Sequence, residues 1–136
     1  IYTGEELFPY TTLSDLVRLD PNYAWALANR GMVLFEMGRY EAALVDLDRS
    51  IALDGSNPFA IGRRAETYVE LRRYDAALFD FERLLQRNPQ DSWAISHRAD
   101  TLRPRRAGRI ALIRHGWRHR GRGRDRTPLG PGAAAA

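Results

Sequence analysis

The segment GRYEAALVDLDRS at 38–50 returns as RRYDAALFDFERL at 72–84, 34 residues later. Laying 24–57 over 58–91 without a gap gives 10 identities in 34 positions, among them Ala26/Ala60, Arg30/Arg64, Glu36/Glu70, Tyr40/Tyr74, Ala43/Ala77, Asp46/Asp80 and Arg49/Arg83. Most differences keep the side-chain character, as in Leu27/Ile61, Gly31/Ala65, Leu47/Phe81 and Ile51/Leu85. A third copy starts in register, with Trp93, Ile95, Arg98, Ala99 and Leu102 each 34 residues after Phe59, Ile61, Arg64, Ala65 and Tyr68.

Each copy has the periodicity of two helices. Leu27, Gly31 and Leu34 recur at helical spacing, and Tyr40, Ala43, Leu44, Leu47 and Ile51 do so again. Breaks are expected at Met37–Arg39 and Asp54–Asn57. Asn22, Asn57 and Asp91 are candidate helix caps, and Pro58 suits a first helical position. Small residues at Gly31, Ala43, Ala65 and Ala77 would let helix backbones come close. One such hairpin cannot cover its own apolar face, whereas stacked copies can.

The 34-residue period and the run Leu27, Gly31, Leu34, Tyr40, Ala43, Leu47, repeated as Ile61, Ala65, Tyr68, Tyr74, Ala77, Phe81, Pro89, closely resemble the tetratricopeptide repeat family. Gly55 stands where the first copy's closing proline would be, and Arg30 and Arg64 where a leucine is usual. The resemblance covers about 17–103. It implies an all-α fold, an α-α superhelix of antiparallel helix pairs, with complete repeats at 24–57 and 58–91 and a partial one at 92–103.

The ends do not match. LVRLDPN (16–22) is like the close of a preceding repeat, but Pro9 falls where that repeat's second helix needs a small residue. FPYTTL (8–13) is what TTTCCCTACACGACGCTC encodes, a string similar to a common sequencing adaptor. Residues 1–15 are therefore expected to be an artefact of sequence assembly, and Ile1 in place of Met to reflect a fragment. Pro104 interrupts the third copy, and 104–136 is an Arg/Gly-rich, low-complexity tail expected to be disordered and non-native.

Charge divides the chain in the same place. Residues 1–102 hold 11 Arg against 16 Asp/Glu, a net of −5; residues 103–136 hold 10 Arg against Asp125, a net of +9. The tail, with His115, Trp117 and His119, is the candidate for nonspecific nucleic-acid binding, which deletion of 104–136 and added salt should abolish. There is no cysteine, and no apolar run is long enough for a membrane span. A cytoplasmic location is the default expectation.

By the resemblance, the first helix of each copy lines a groove for a partner. The positions are Trp25, Ala28, Asn29, Met32, Phe35 and Glu36; then Phe59, Gly62, Arg63, Glu66, Val69 and Glu70; then Trp93, Ser96, His97 and Asp100. Aromatic anchors among acids suit a protein or peptide ligand with apolar and basic side chains. The alternative for Trp25, Phe59 and Trp93 is packing between hairpins. A variant of the family grips carboxylate termini with Lys and Asn, but Ala28, Met32, Gly62 and Glu66 stand at the matching positions. Arg30, Arg64 and Arg98 form a ladder expected to be structural, pairing with Asp46, Asp80 or nearby acids.

No nucleophile–base spacing and no phosphate-cradling glycine loop occurs, so no catalytic or cofactor site is expected. His115 and His119 have the i, i+4 spacing of metal ligands without a third, so no metal is expected either. The function implied is a non-catalytic protein–protein interaction module. Alternatives are nucleic-acid binding through the tail, or the regulatory array of a larger enzyme. With two and a half repeats and an uncapped end at Ile95, Ala99 and Leu102, self-association or marginal stability is expected. In a thermal melt the chain should unfold below about 65 °C, the upper end for mesophile domains, and a sharp monomeric transition above that would contradict the uncapped array.

Overall fold

The computed structural model describes residues 4–103, and all ordered elements among them are α-helices. They run α1 (Gly4–Leu19), α2 (Ala24–Glu36), α3 (Tyr40–Leu53), α4 (Pro58–Glu70), α5 (Tyr74–Arg87) and α6 (Ser92–Leu102). The tail at 104–136, with Pro104, His115, Trp117 and His119, lies outside the described residues.

Both hairpin turns close in the same way. Gly38 adopts φ 77° and Arg72, 34 residues on, φ 59°. In the first, Arg39 N donates to Leu34 O at 2.8 Å and Gly38 N to Phe35 O at 2.9 Å. In the second, Arg73 N donates to Tyr68 O at 2.8 Å and Arg72 N to Val69 O at 3.0 Å. This paired pattern satisfies the last helical carbonyls and requires a left-handed residue, which glycine adopts freely and arginine does not.

The connections between hairpins also repeat. Asp20, Asp54 and Asn88 each accept the backbone N–H two residues on, from Asn22 at 3.0 Å, Ser56 at 3.1 Å and Gln90 at 3.2 Å. The hydroxyl and backbone N–H of Ser56 hold the Asp54 carboxyl below its usual range. Arg49 reaches Pro21 O at 2.9 Å and Arg83 reaches Gly55 O at 3.1 Å, which explains the shared arginine. Asn57 caps α4 by accepting from Phe59 N at 3.0 Å, and Asp91 caps α6 by accepting from Ala94 N at 3.0 Å. Asn22 does not cap α2: the cap position is Tyr23, one residue later, whose side chain makes no capping hydrogen bond.

The hairpins stack so that α3 packs on both α2 and α4, with α4 against α5. Equivalent residues are sealed in each copy: Leu27 and Ile61, Ala43 and Ala77, Leu47 and Phe81 are all 0 % exposed. Ala26, Ala60 and Ala94 are likewise fully buried at the same position of α2, α4 and α6. Tyr40 packs on Phe35, ring centroids 5.4 Å apart, at the joint of the first hairpin.

Residues 4–15, set apart in the sequence, continue α1, which packs on α2 with Leu13 and Val17 buried. Pro9 sits inside this helix, exposed and near its start, where the ring removes one backbone bond.

A Cβ added at Gly31 would come within 2.7 Å of Leu47 Cγ and 3.3 Å of Ala43 O. Overpacking of about 1–3 kcal/mol outweighs the roughly 1 kcal/mol that alanine gains over glycine in a helix. Gly31→Ala is therefore expected to lower stability in denaturant unfolding, although the second copy carries Ala65 at that position. Arg72→Gly should raise Tm by a few degrees, since a left-handed residue costs about 1 kcal/mol or more; an unchanged or lower Tm would contradict the turn geometry.

Candidate partner-binding surface

The expected groove residues fall into two groups. On α2, Trp25 is 53 % exposed and its ring lies 5.7 Å from that of Tyr23, a neighbour the sequence pattern did not single out. Asn29 Nδ2 donates to Trp25 O at 2.8 Å, so part of its polar capacity is used within the helix. Met32 is half-buried, Phe35 packs on the Leu34, Ala43 and Leu47 cluster, and Glu36 is exposed. Ala28 is buried in the core beside Ile51 and Ala60 rather than lining a surface.

The second group joins α4 to α6. The Arg63 guanidinium lies over the Phe59 ring at 5.5 Å and donates to Glu66 Oε2 at 2.8 Å. Glu66 Oε1 is 3.6 Å from His97 Nε2. The His97 ring stacks on Trp93 at 4.1 Å, and its Nδ1 donates to Trp93 O at 2.9 Å. Trp93 in turn meets the edge of buried Phe81 at 5.8 Å, and its six-membered ring lies 3.2 Å from where a Gly62 Cβ would be. Phe59 and Trp93 are each 37 % exposed, so they both pack on neighbours and present a face. Glu66 is paired with Arg63, a contact that their i, i+3 spacing allows, and lies beside His97, whereas Glu70 is exposed. Ser96 and Asp100 are exposed on α6, and Val69 is half-buried against the core.

The arginine ladder lies on a different side and is built by a constant interval. Arg30 pairs with Asp46 through Nε–Oδ2 at 2.6 Å and Nη2–Oδ1 at 2.9 Å. Arg64 repeats this on Asp80 at 2.8 Å for both bonds, and also reaches back to Asp48 at 3.1 Å. Arg98 reaches back to Glu82 at 2.8 Å. Each arginine thus meets the second helix 16 residues behind it, 16 residues ahead, or both. Position 14, 16 residues behind Arg30, is a serine whose buried Oγ has no hydrogen-bond partner among the described residues. The bidentate carboxylate bonds raise the pKa of both Arg30 and Arg64 above the usual guanidinium value, against the desolvation that would lower it. The Arg64 guanidinium also lies over Tyr68 at 5.9 Å, whose phenol is pushed up by burial first and by Asp48 second.

Among the described residues there is no cluster of three or more metal-ligating side chains, and no helix long and apolar enough to cross a membrane.

Because the Asp80 side chain is 1 % exposed, removing Arg64 leaves a buried carboxylate without its bidentate partner. Arg64→Ala should cost about 3–5 kcal/mol in urea unfolding, whereas the double replacement Arg64→Leu/Asp80→Leu should recover much of that loss. Equal losses in single and double variants would contradict this reading.

Matches to known proteins follow the same boundaries. Family models of the tetratricopeptide repeat match residues 24–57 and 60–91. No protein of curated function matches the sequence. Among solved structures, the first tetratricopeptide domain of Spaghetti (RPAP3), bound to the HSP90 peptide SRMEEVD, is similar with TM-score 0.69 and 22 % identity, over 72 % of this chain and 78 % of that one. The second such domain of human RPAP3, in complex with the HSP70 peptide SGPTIEEVD, is similar with TM-score 0.64 and 28 % identity, over 68 % and 77 %. The Arabidopsis OM64 domain is similar with TM-score 0.66 and 25 % identity, over 68 % and 77 %. With two matched repeats, four helices stacked as paired hairpins and these relatives, the chain belongs over residues 24–91 to the tetratricopeptide repeat family, as a helical protein-interaction module.

Proposed function

We propose that the first helices, α2, α4 and α6, form a groove that docks an extended peptide or partner segment with apolar and basic side chains. One observation carries this reading above the others. The large aromatics Trp25, Phe59 and Trp93, spaced at the repeat period, are 53 %, 37 % and 37 % exposed, while the residues beside them at 26, 60 and 94 are fully buried. Large aromatic faces left in water beside a sealed core are the side chains that anchor a partner with little loss of conformational freedom.

Charge selects among peptides. Glu36 and Glu70, at the same position of α2 and α4, are exposed and would attract basic side chains. Arg63 and Glu66 neutralise one another, so Arg63 offers less to an acidic ligand than its sequence position suggests. The human RPAP3 domain takes a peptide ending in EEVD. Here the positions matching carboxylate-gripping Lys and Asn residues hold Ala28, Met32, Gly62 and Glu66, of which Ala28 and Gly62 are buried. A ligand of that acidic kind is therefore disfavoured.

The test compares two fluorescein-labelled peptides, one alternating leucine with arginine, the other SGPTIEEVD. The basic peptide should bind more tightly, and Trp93→Ala should weaken it about tenfold or more, the cost of losing an interface anchor. Glu36→Gln with Glu70→Gln should weaken it at low salt and much less at high salt. Preference for SGPTIEEVD, or indifference to Trp25→Ala and Trp93→Ala alike, would overturn the proposal.

A further inference from the structure

We propose that the outward flank of α6 is a second docking surface, for an amphipathic helix that places a carboxylate against Arg98. This flank is separate from the aromatic groove. Leu27 and Ile61 are 0 % exposed, each in a hairpin completed by a second helix, α3 or α5, whereas Ile95, the same position of α6, is 41 % exposed. Ala65 is fully buried, and its counterpart Ala99 is exposed. The other side of α6 is seated normally, with Ala94 fully buried and Trp93 on Phe81. An apolar strip of the kind covered twice within the stack has no covering helix the third time among the described residues.

Arg98 identifies what covers it. Arg30 and Arg64 each give two hydrogen bonds to a carboxylate 16 residues ahead, Asp46 and Asp80, on the helix that seals their hairpin. Arg98 keeps only the backward bond, to Glu82, among the described residues. The residue 16 positions ahead is Arg114, which lies outside the described residues and carries the wrong sign. Symmetric pairing of two α6 flanks would bring Arg98 against Arg98, so like charge disfavours a second copy as occupant. The fitting partner is a helix with a small residue, an acid three positions later and a large apolar side chain next. Ala43, Asp46, Leu47 and Ala77, Asp80, Phe81 carry this pattern inside the chain.

The probe is a free labelled peptide with the sequence of residues 74–87, titrated into the full chain and followed by anisotropy and by backbone NMR. Binding should shift the amides around Ile95 and Ala99. Arg98→Gln and Arg98→Glu should weaken binding, the reversal by about tenfold, as expected when a partly desolvated charge pair is broken. A peptide with Asp80→Arg should bind the Arg98→Glu chain better than the unaltered chain. Trp25→Ala should leave this binding unchanged, which separates the flank from the groove. Because the Arg98 side chain is partly exposed and pairs only with Glu82 among the described residues, circular dichroism should confirm that both variants fold. The proposal is overturned if the unaltered peptide does not saturate, if Arg98→Glu binds it equally well, if the shifts confine themselves to α4 and α5, or if the chain instead dimerises through α6.

Discussion

The first helices α2 and α4 each lie between two neighbouring helices, and the arginine at the centre of each is where that constraint is most visible. A guanidinium has donors on two edges, so one side chain can bind an acid on the helix behind and another on the helix ahead. Arg64 does both, through Asp48 and Asp80. The pair is desolvated, and a buried ion pair gains little in net stability over apolar packing of the same volume. What it adds is registration. A slip of one residue along the helix would strand a buried carboxylate, whereas a slip between alanines and leucines would merely repack. Apolar burial drives the hairpins together, and the arginine bridge fixes how they meet.

That division of labour explains why the fold was legible in the sequence. The 34-residue period, the small residues at Gly31, Ala43, Ala65 and Ala77, and the arginine–aspartate matches all express one contact written repeatedly. Less legible were features in which chemically different residues perform one role. Asp20, Asp54 and Asn88 make the same turn, yet stand in DPN, DGSN and NPQD. Gly38 and Arg72 share a left-handed backbone, and only the first declares it. Asn22 looked like a cap because asparagine usually is one, but the register assigns that place to Tyr23. Pro9 looked like a helix breaker, but close to a helix start it removes one bond from an exposed backbone.

The candidate surface was legible in position and not in electrostatics. Counting along the repeat placed Trp25, Phe59 and Trp93 on equivalent sites, and all three keep solvent-exposed faces. Counting allowed the i, i+3 pair of Arg63 and Glu66 but could not tell that His97 of the next first helix also comes to Glu66 while Glu36 and Glu70 are exposed. Side chains at i, i+3 on one helix and across to the next decide this, and their partners depend on how closely α4 and α6 approach. Gly62 permits that approach, because a Cβ there would come within 3.2 Å of the Trp93 ring.

The same stacking rule gives the molecule two faces with opposite requirements. In the proposed groove, Phe59 and Trp93 pack partly on neighbours and keep an exposed face, so their exposure is compatible with a finished fold. On the flank of α6, Ile95 and Ala99 occupy positions that the fold elsewhere seals, so among the described residues their exposure leaves that contact unmade. A ligand in the groove would gain only what its own contacts supply. A helix on the flank would restore a contact already optimised twice in the same chain, including a bidentate bond whose donor edge on Arg98 is in place. Affinity at such a surface is encoded by the repeat itself, and selectivity rests on one charge, since an apolar helix of the right shape without an acid would bury Arg98 against nothing.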